Sequence, residues 1–137
     1  MINEQLLRPK SIAVIGASTY TAKPGGKIVK NLIDHGFSGP VYGVNPKVPE
    51  IEGVNIYPEV ADLPDVDLAI LAIPAALCLE ATEVLATRKS TRAFIIISAG
   101  FGETSAEGKK LEQEIARVVD THDGCLIGPN CIGVMTP

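Results

Sequence analysis

"SIAVIGASTYTAKPGGKIVKNL", residues 11–32, decides how the chain is read. An apolar run, Ile12 to Ile15, ends in Gly16. An amphipathic pattern follows: Ile28, Val29, Leu32 and Ile33 share one face, and Gly36 stands where the helix would stop. A strand, a glycine turn and a helix in this order open a dinucleotide-binding unit. The glycine spacing, however, departs from G-x-G-x-x-G. Counted from Gly16, that fingerprint needs glycines at 18 and 21, where the chain has Ser18 and Thr21. The next glycines, Gly25 and Gly26, come after a longer loop containing Lys23 and Pro24. The loop therefore raises the question of which nucleotide it is shaped for.

Four more apolar runs follow: "PVYGV" (40–44), "DLAILAI" (67–73), "AFIIIS" (93–98) and "CLIG" (125–128). They are continuous rather than alternating, as in strands buried on both faces of a parallel sheet. Helical stripes lie between most of them: Leu77, Ala81, Val84 and Leu85, then Leu111, Ile115, Val118 and Val119. Thr104 and Glu107 have capping-box spacing ahead of the last stripe. The stretch 45–66, richer in Pro, Gly and acids, reads as a long irregular connection with room for a short strand near Val54–Tyr57. No linker divides the 137 residues. The expectation is one domain over 1–137: α/β, doubly wound and Rossmann-like. Its mostly parallel five-stranded sheet carries helices on both faces.

Composition narrows the function. A hydrophobic content of 46% supports a packed core, and a net charge of −4 argues against general nucleic-acid binding. No apolar stretch is long enough to cross a bilayer, and "MINEQLLRPK" lacks the layout of a signal peptide. A cytoplasmic protein without nucleic-acid or membrane partners is expected. Cys78, Cys125 and Cys131 are odd in number and lack metal-ligand spacing, so neither a disulfide framework nor a metal site is expected. His35 and His122 fall at helix ends or in loops, where surface or capping roles are expected. No catalytic constellation emerges, and the chain looks equipped for binding.

Ligands of this fold sit at the carboxyl ends of the strands. The residues there are Gly16-Ala17-Ser18, Asn45-Pro46-Lys47, Pro74-Ala75, Ser98-Ala99-Gly100 with Phe101-Gly102-Glu103, and Gly128-Pro129-Asn130-Cys131. Small residues at the first edge let backbone N–H groups reach a pyrophosphate, with Lys23 as a point charge and the helix start at Gly25–Gly26 adding partial positive charge. The same glycine also suits a plain tight turn. At the second edge an NAD-binding domain usually carries an acid for the ribose hydroxyls. Asn45, Pro46 and Lys47 stand there instead. A lysine favours a phosphorylated ribose, the 2′-phosphate of NADP or the 3′-phosphate of coenzyme A. It equally suits a solvated surface. Ile73-Pro74-Ala75 offers an apolar wall. Cys131 has no histidine obviously ready to activate it.

Taken together, "SIAVIGAS", "GFSGPVYGVNPKVPEIEG", "VDLAILAIPA", "IIISAGFGE" and "IGPNCIGVMTP" resemble the N-terminal CoA-binding domain of NDP-forming (ADP-forming) acyl-CoA synthetases. The succinyl-CoA synthetase alpha subunit is a more distant relative. The resemblance covers almost the entire chain, with five motifs in order. It implies that coenzyme A is the ligand. Gly16, Ala17, Ser18, Lys23, Pro24, Gly25 and Gly26 would hold its phosphates, and Asn45, Pro46 and Lys47 its nucleotide end. Ile73, Pro74, Ala75, Ser98, Ala99 and Gly100 would line the adenine and pantetheine path, with Asn130 and Cys131 towards the thiol. It also implies a fragment of a longer acid–thiol ligase that works with the remaining synthetase domains or subunits on CoA or acyl-CoA. The phosphorylated histidine and the ATP-grasp part, which use ATP, ADP and Mg, would lie outside this chain. Two alternatives stand beside it: an NAD(P)-binding regulator, and the CoA-binding part of a protein acetyltransferase. On this reading Gly16→Val is expected to abolish CoA binding with the fold largely retained.

Overall fold

Ile12–Ile15 (β1) and Leu68–Leu71 (β4) are apolar and buried at every position. A strand with no polar face needs cover on both sides and a neighbour on each edge, so these two lie side by side at the centre of a sheet. The computed structural model describes residues 3–20, 22–48, 50–51, 53–97 and 106–128. Around the central pair stand Val41–Val44 (β2), Asn55–Tyr57 (β3), Ala93–Ile96 (β5) and Cys125–Ile127 (β6), in the order β3-β2-β1-β4-β5-β6. All five pairings are parallel, with Ile15 level with Val44 on one side and with Leu71 on the other.

The sheet therefore has six strands where five were expected. The extra one, β3, lies where the connection left room for a short strand near Val54–Tyr57; it is short and half-exposed. Pairing with β2 is what makes it a strand.

Alternate side chains feed two layers. Ala13, Ile15, Ala69, Leu71, Phe94 and Ile96 pack under Ala75–Arg88 (α3) and Ala106–Thr121 (α4), against Cys78, Ala81, Leu85, Ile115 and Val119. Ile12, Leu68, Ile70 and Ala93 face the other way, towards Glu4–Leu7 (α1) and Pro24–Asp34 (α2), where Leu6, Ile28 and Leu32 cover them. Val14 joins Val29 on that side. Each buried Val, Leu, Ile or Phe among them contributes on the order of 1.5–3 kcal/mol by leaving water. None of the described helices is long and apolar enough to cross a membrane.

The helix ends follow local chemistry. Gly36 has φ +66°, its N–H donates to the Ile33 carbonyl, and the Phe37 N–H donates to the Leu32 carbonyl. That pair of bonds is a Schellman motif, and Phe37 and Leu32 share one apolar cluster. His35 stands at the end of α2, its backbone N–H donating to the Asn31 carbonyl, and the His122 ring Nδ1 lies 2.8 Å from the Val118 carbonyl at the end of α4. Cys78 and Cys125 are buried, and the Cys78 thiol lies 3.8 Å from the Ile73 carbonyl oxygen and 3.7 Å from that of Pro74. Two stripe residues depart from expectation: Ile33 is 40% and Leu77 55% exposed, so neither belongs to the core. Thr104 and Glu107 were expected to form a capping box; Thr104 lies outside the described residues.

Two buried threonines give a paired stability test. The Thr91 hydroxyl has no hydrogen-bond partner among the described residues, whereas Thr82 Oγ1 donates to the Cys78 carbonyl at 2.8 Å. An unmatched buried hydroxyl costs about 1–3 kcal/mol in desolvation. Thr91→Val should therefore stabilise the protein, by roughly 1 kcal/mol in urea unfolding, and Thr82→Val should be neutral or destabilising by up to about 1 kcal/mol. A destabilised Thr91→Val would show that its hydroxyl is satisfied, for example by an ordered water.

Candidate functional site

The strand order reverses at β1: the chain moves to β2 and β3 on one side, then returns to β4, β5 and β6 on the other. The carboxyl ends of β1 and β4 thus open the crevice where ligands of such sheets bind. Gly16 stands at its centre. Its N–H donates to the Val44 carbonyl at 2.8 Å, and its φ of +96° turns the chain out of the strand. A Cβ at Gly16 would collide with the Ala72 carbonyl oxygen and lie 3.1 Å from Ile73 Cγ2. On the other side, a Cβ at Gly25 would collide with the Gly16 carbonyl, and one at Gly26 with the Tyr20 carbonyl. The first turn of α2 therefore rests backbone to backbone on the β1 turn. This is the close helix–strand approach that the third glycine provides in G-x-G-x-x-G. Here it falls to Gly25 and Gly26, with a longer loop in between.

That loop is closed by its own residues. Ser18 is buried, and its Oγ accepts the Tyr20 N–H at 3.0 Å. Pro24 begins α2, and the N-cap residue Lys23 makes no side-chain cap, so the positive end of the helix is left to the crevice side. The Lys23 ammonium is exposed and lies 5.7 Å from the centre of the Tyr20 ring, a cation–π distance.

Asn45 follows β2. Its Nδ2 donates to the Ala17 carbonyl at 2.9 Å, and its Oδ1 accepts the Lys47 N–H at 2.9 Å. Pro46 and Lys47 are exposed beyond it, and Lys47 has no ion-pair partner among the described residues.

Between these turns and α3 lies an open cleft of about 360 Å³. Its walls are Ile15 and Gly16 of the β1 end, Val44 to Pro46 of the β2 end, Ile73 after β4, Pro58 to Ala61 after β3, and Leu77, Ala81 and Val84 of α3. Glu59 and Glu80 stand among them as the charged groups. The volume suits a small-molecule site, and the lining is mostly apolar with few polar groups. Among the described residues no cluster of His, Cys, Asp or Glu could hold a metal ion.

Of the residues singled out in the sequence, Gly16, Asn45, Pro46 and Ile73 meet in this cleft. Ala17, Gly25, Gly26 and Ala75 are buried behind it and support the backbone, while Pro24 and Pro74 are exposed at helix starts. Ser98, Ala99, Gly100, Asn130 and Cys131 lie outside the described residues. The α3 wall and the Pro58–Ala61 turn were missed. Leu77, Ala81 and Val84 belong to the stripe that meets the sheet, and with Glu80 they carry its flank round into the cleft. That stripe was the available signal. The Pro58–Ala61 turn offers none, because only the fold brings it to the cleft.

A family model described as a CoA binding domain matches residues 10–137. The chain is 47% identical over 133 residues to acetate–CoA ligase (ADP-forming) I of Archaeoglobus fulgidus, covering 96% of this chain and 19% of that protein. It is 41% identical over 137 residues to the alpha subunit of acetate–CoA ligase (ADP-forming) I of Pyrococcus furiosus, covering 96% of this chain and 29% of that one. Among solved structures, the apo form of dinucleotide-forming acetyl-coenzyme A synthetase 1 from Candidatus Korarchaeum cryptofilum matches with a TM-score of 0.82 and 35% identity, over 93% of this chain and 27% of that one. The chain thus spans less than a third of the length of each of these relatives.

The backbone contacts at Gly16 change what its substitution tests. Gly16→Val was expected to spare the fold, but any Cβ there meets the Ala72 carbonyl and must adopt a positive φ. Strain of this kind costs on the order of 1–3 kcal/mol before the clash is counted. Gly16→Ala should therefore lower unfolding stability by at least ~1 kcal/mol in urea titrations without any ligand present. A variant as stable as the unsubstituted chain would contradict the close contact with β4.

Proposed function

The chain belongs to the CoA-binding domain family, and on that footing we propose that its crevice holds coenzyme A for an ADP-forming acyl-CoA synthetase. The observation that carries this reading is the meeting of three features at one sheet edge. They are an apolar cleft, a glycine turn against an uncapped helix start, and an exposed lysine after β2 in place of an acid.

The adenine would enter the cleft between Ile73 and the α3 wall. The pyrophosphate would lie over the Gly16–Ser18 turn, facing the start of α2 and Lys23. Lys47 would meet the 3′-phosphate of the ribose. The pantetheine arm would then run past Ile73 and Pro74 towards the segments holding Ser98, Ala99, Gly100, Asn130 and Cys131. These residues bind and orient. Bound in this way, coenzyme A supplies the thiol that accepts an acyl group. ATP, ADP and Mg belong to the other domains or subunits of a complete ligase, whose net reaction would interconvert acyl-CoA, ADP and phosphate with carboxylate, CoA and ATP. On this reading the 137 residues bind and orient coenzyme A.

Calorimetry with CoA, NADH and NADPH tests the ligand. CoA should bind and the two nicotinamide dinucleotides should not; binding of NADPH with no response to CoA would overturn the reading. Incubation with labelled ATP, acetate and CoA should give neither labelled protein nor sustained acetyl-CoA formation.

Lys47→Ala tests the phosphate. A charge-assisted hydrogen bond contributes ~1.5–3 kcal/mol, about one to two decades of affinity. The lysine is exposed, so salt should reduce the effect. The variant should bind CoA and dephospho-CoA almost equally, with most of the loss on CoA. Equal loss on both ligands would move Lys47 to the pyrophosphate, and no loss would return it to solvent.

A further inference from the structure

A side-chain amide next to a nucleotide site usually suggests a hydrogen bond to the ligand. At Asn45 the hydrogen bonds run inward. Nδ2 donates to the carbonyl of Ala17, a residue with no exposed surface, and Oδ1 accepts the Lys47 N–H, both at 2.9 Å. The Asn45 backbone N–H donates to the Tyr57 carbonyl at 3.1 Å. One residue thus ties together the turn after β1, the turn after β2 and the end of β3. The packing beside it is equally close: a Cβ at Gly43 would lie 2.8 Å from the Ala17 side chain.

We propose that Asn45 is a positioning residue for recognition of the 3′-phosphate, acting through the Lys47 main chain with the Ala17 carbonyl as its anchor, rather than by touching the nucleotide. This rests on the coenzyme A reading above. Anchored at Ala17, the Asn45 amide fixes where the Lys47 main chain starts, and so where its ammonium can reach. The same geometry explains why an amide stands where an acid is common. A carboxylate has no hydrogen to donate, so it would set an oxygen against the Ala17 carbonyl.

The test compares CoA with dephospho-CoA on the unsubstituted chain, Asn45→Ala, Lys47→Ala and the double variant, with thermal unfolding followed in parallel. The unsubstituted chain should prefer CoA by about ten- to a hundredfold. Asn45→Ala should bring the preference within about threefold of unity while holding dephospho-CoA within about threefold of its original affinity. The double variant should match Lys47→Ala in preference, since two residues acting on one contact do not add. A preference left intact while both ligands weaken equally would overturn the proposal, as would an unsubstituted chain with no preference. If Asn45→Ala does not fold, Asn45→Ser takes its place. Its hydroxyl can still accept the Lys47 N–H but is too short to hold Ala17. The preference should fall at least about threefold, and full retention would overturn the proposal. Failure of the unsubstituted chain to bind CoA at all would defeat the coenzyme A reading itself. CoA binding with a preference unmoved by substitution would defeat only the role of Asn45.

Discussion

Three stretches of backbone meet at Gly16 with no side chain between them. The Ala72 carbonyl after β4 closes on Gly16 from one side, and the first turn of α2 at Gly25 closes from the other. The rest of the site depends on this contact. It brings β1 and β4 together where the strand order reverses, and it sets the height at which α2 begins above the sheet. It also leaves a surface of peptide groups, without side chains, facing the crevice. The positive φ at Gly16 is the local cost of the turn, and only glycine meets it without strain. Gly128 repeats the arrangement at the end of β6, where a Cβ would collide with the Ile96 carbonyl and φ is +91°.

From that contact the crevice divides into two environments. On the α3 side the cleft is apolar, with Glu59 and Glu80 as its charged groups, which suits a neutral ring better than a phosphate. On the other side lie the uncapped start of α2, the exposed Lys23 and the exposed Lys47, which suit anions. A ligand that is apolar at one end and multiply phosphorylated beyond it matches that division. The acidic net charge of −4 sharpens the point, because the positive character there is local rather than a property of the whole surface.

Much of this was legible in the sequence. Continuous apolar runs marked the strands because parallel strands are covered on both faces, and Gly36 marked the end of α2 because a Schellman turn requires a positive φ there. The turn after β1 was legible as a place of close backbone approach, which a glycine leaving a buried strand signals. Other features were hidden by the ambiguity of helical spacing. Leu77 and Val84 share the stripe of Ala81 and Leu85, yet Leu77 is exposed and both line the cleft, because α3 meets the sheet on one flank and the Pro58–Ala61 turn on another. β3 was faint because its strand character comes from β2 rather than from its own residues.

The sequence by itself determined the order of elements, the location of the glycine turn and the absence of an acid after β2. These are local facts, carried by residue type and spacing within single segments. Tertiary structure alone decided which side chains face the crevice and which are held by the protein. Asn45 was legible only as a polar residue after β2, and the fold set its amide against the Ala17 carbonyl, 28 residues earlier in the chain. Gly25 and Gly26 stood out as small residues after a turn, and only the fold set their α-carbons against the carbonyls of Gly16 and Tyr20. The physical reason is the same in both cases. A hydrogen bond or a close backbone contact depends on distances between segments remote in sequence, and no periodicity within one segment encodes those distances.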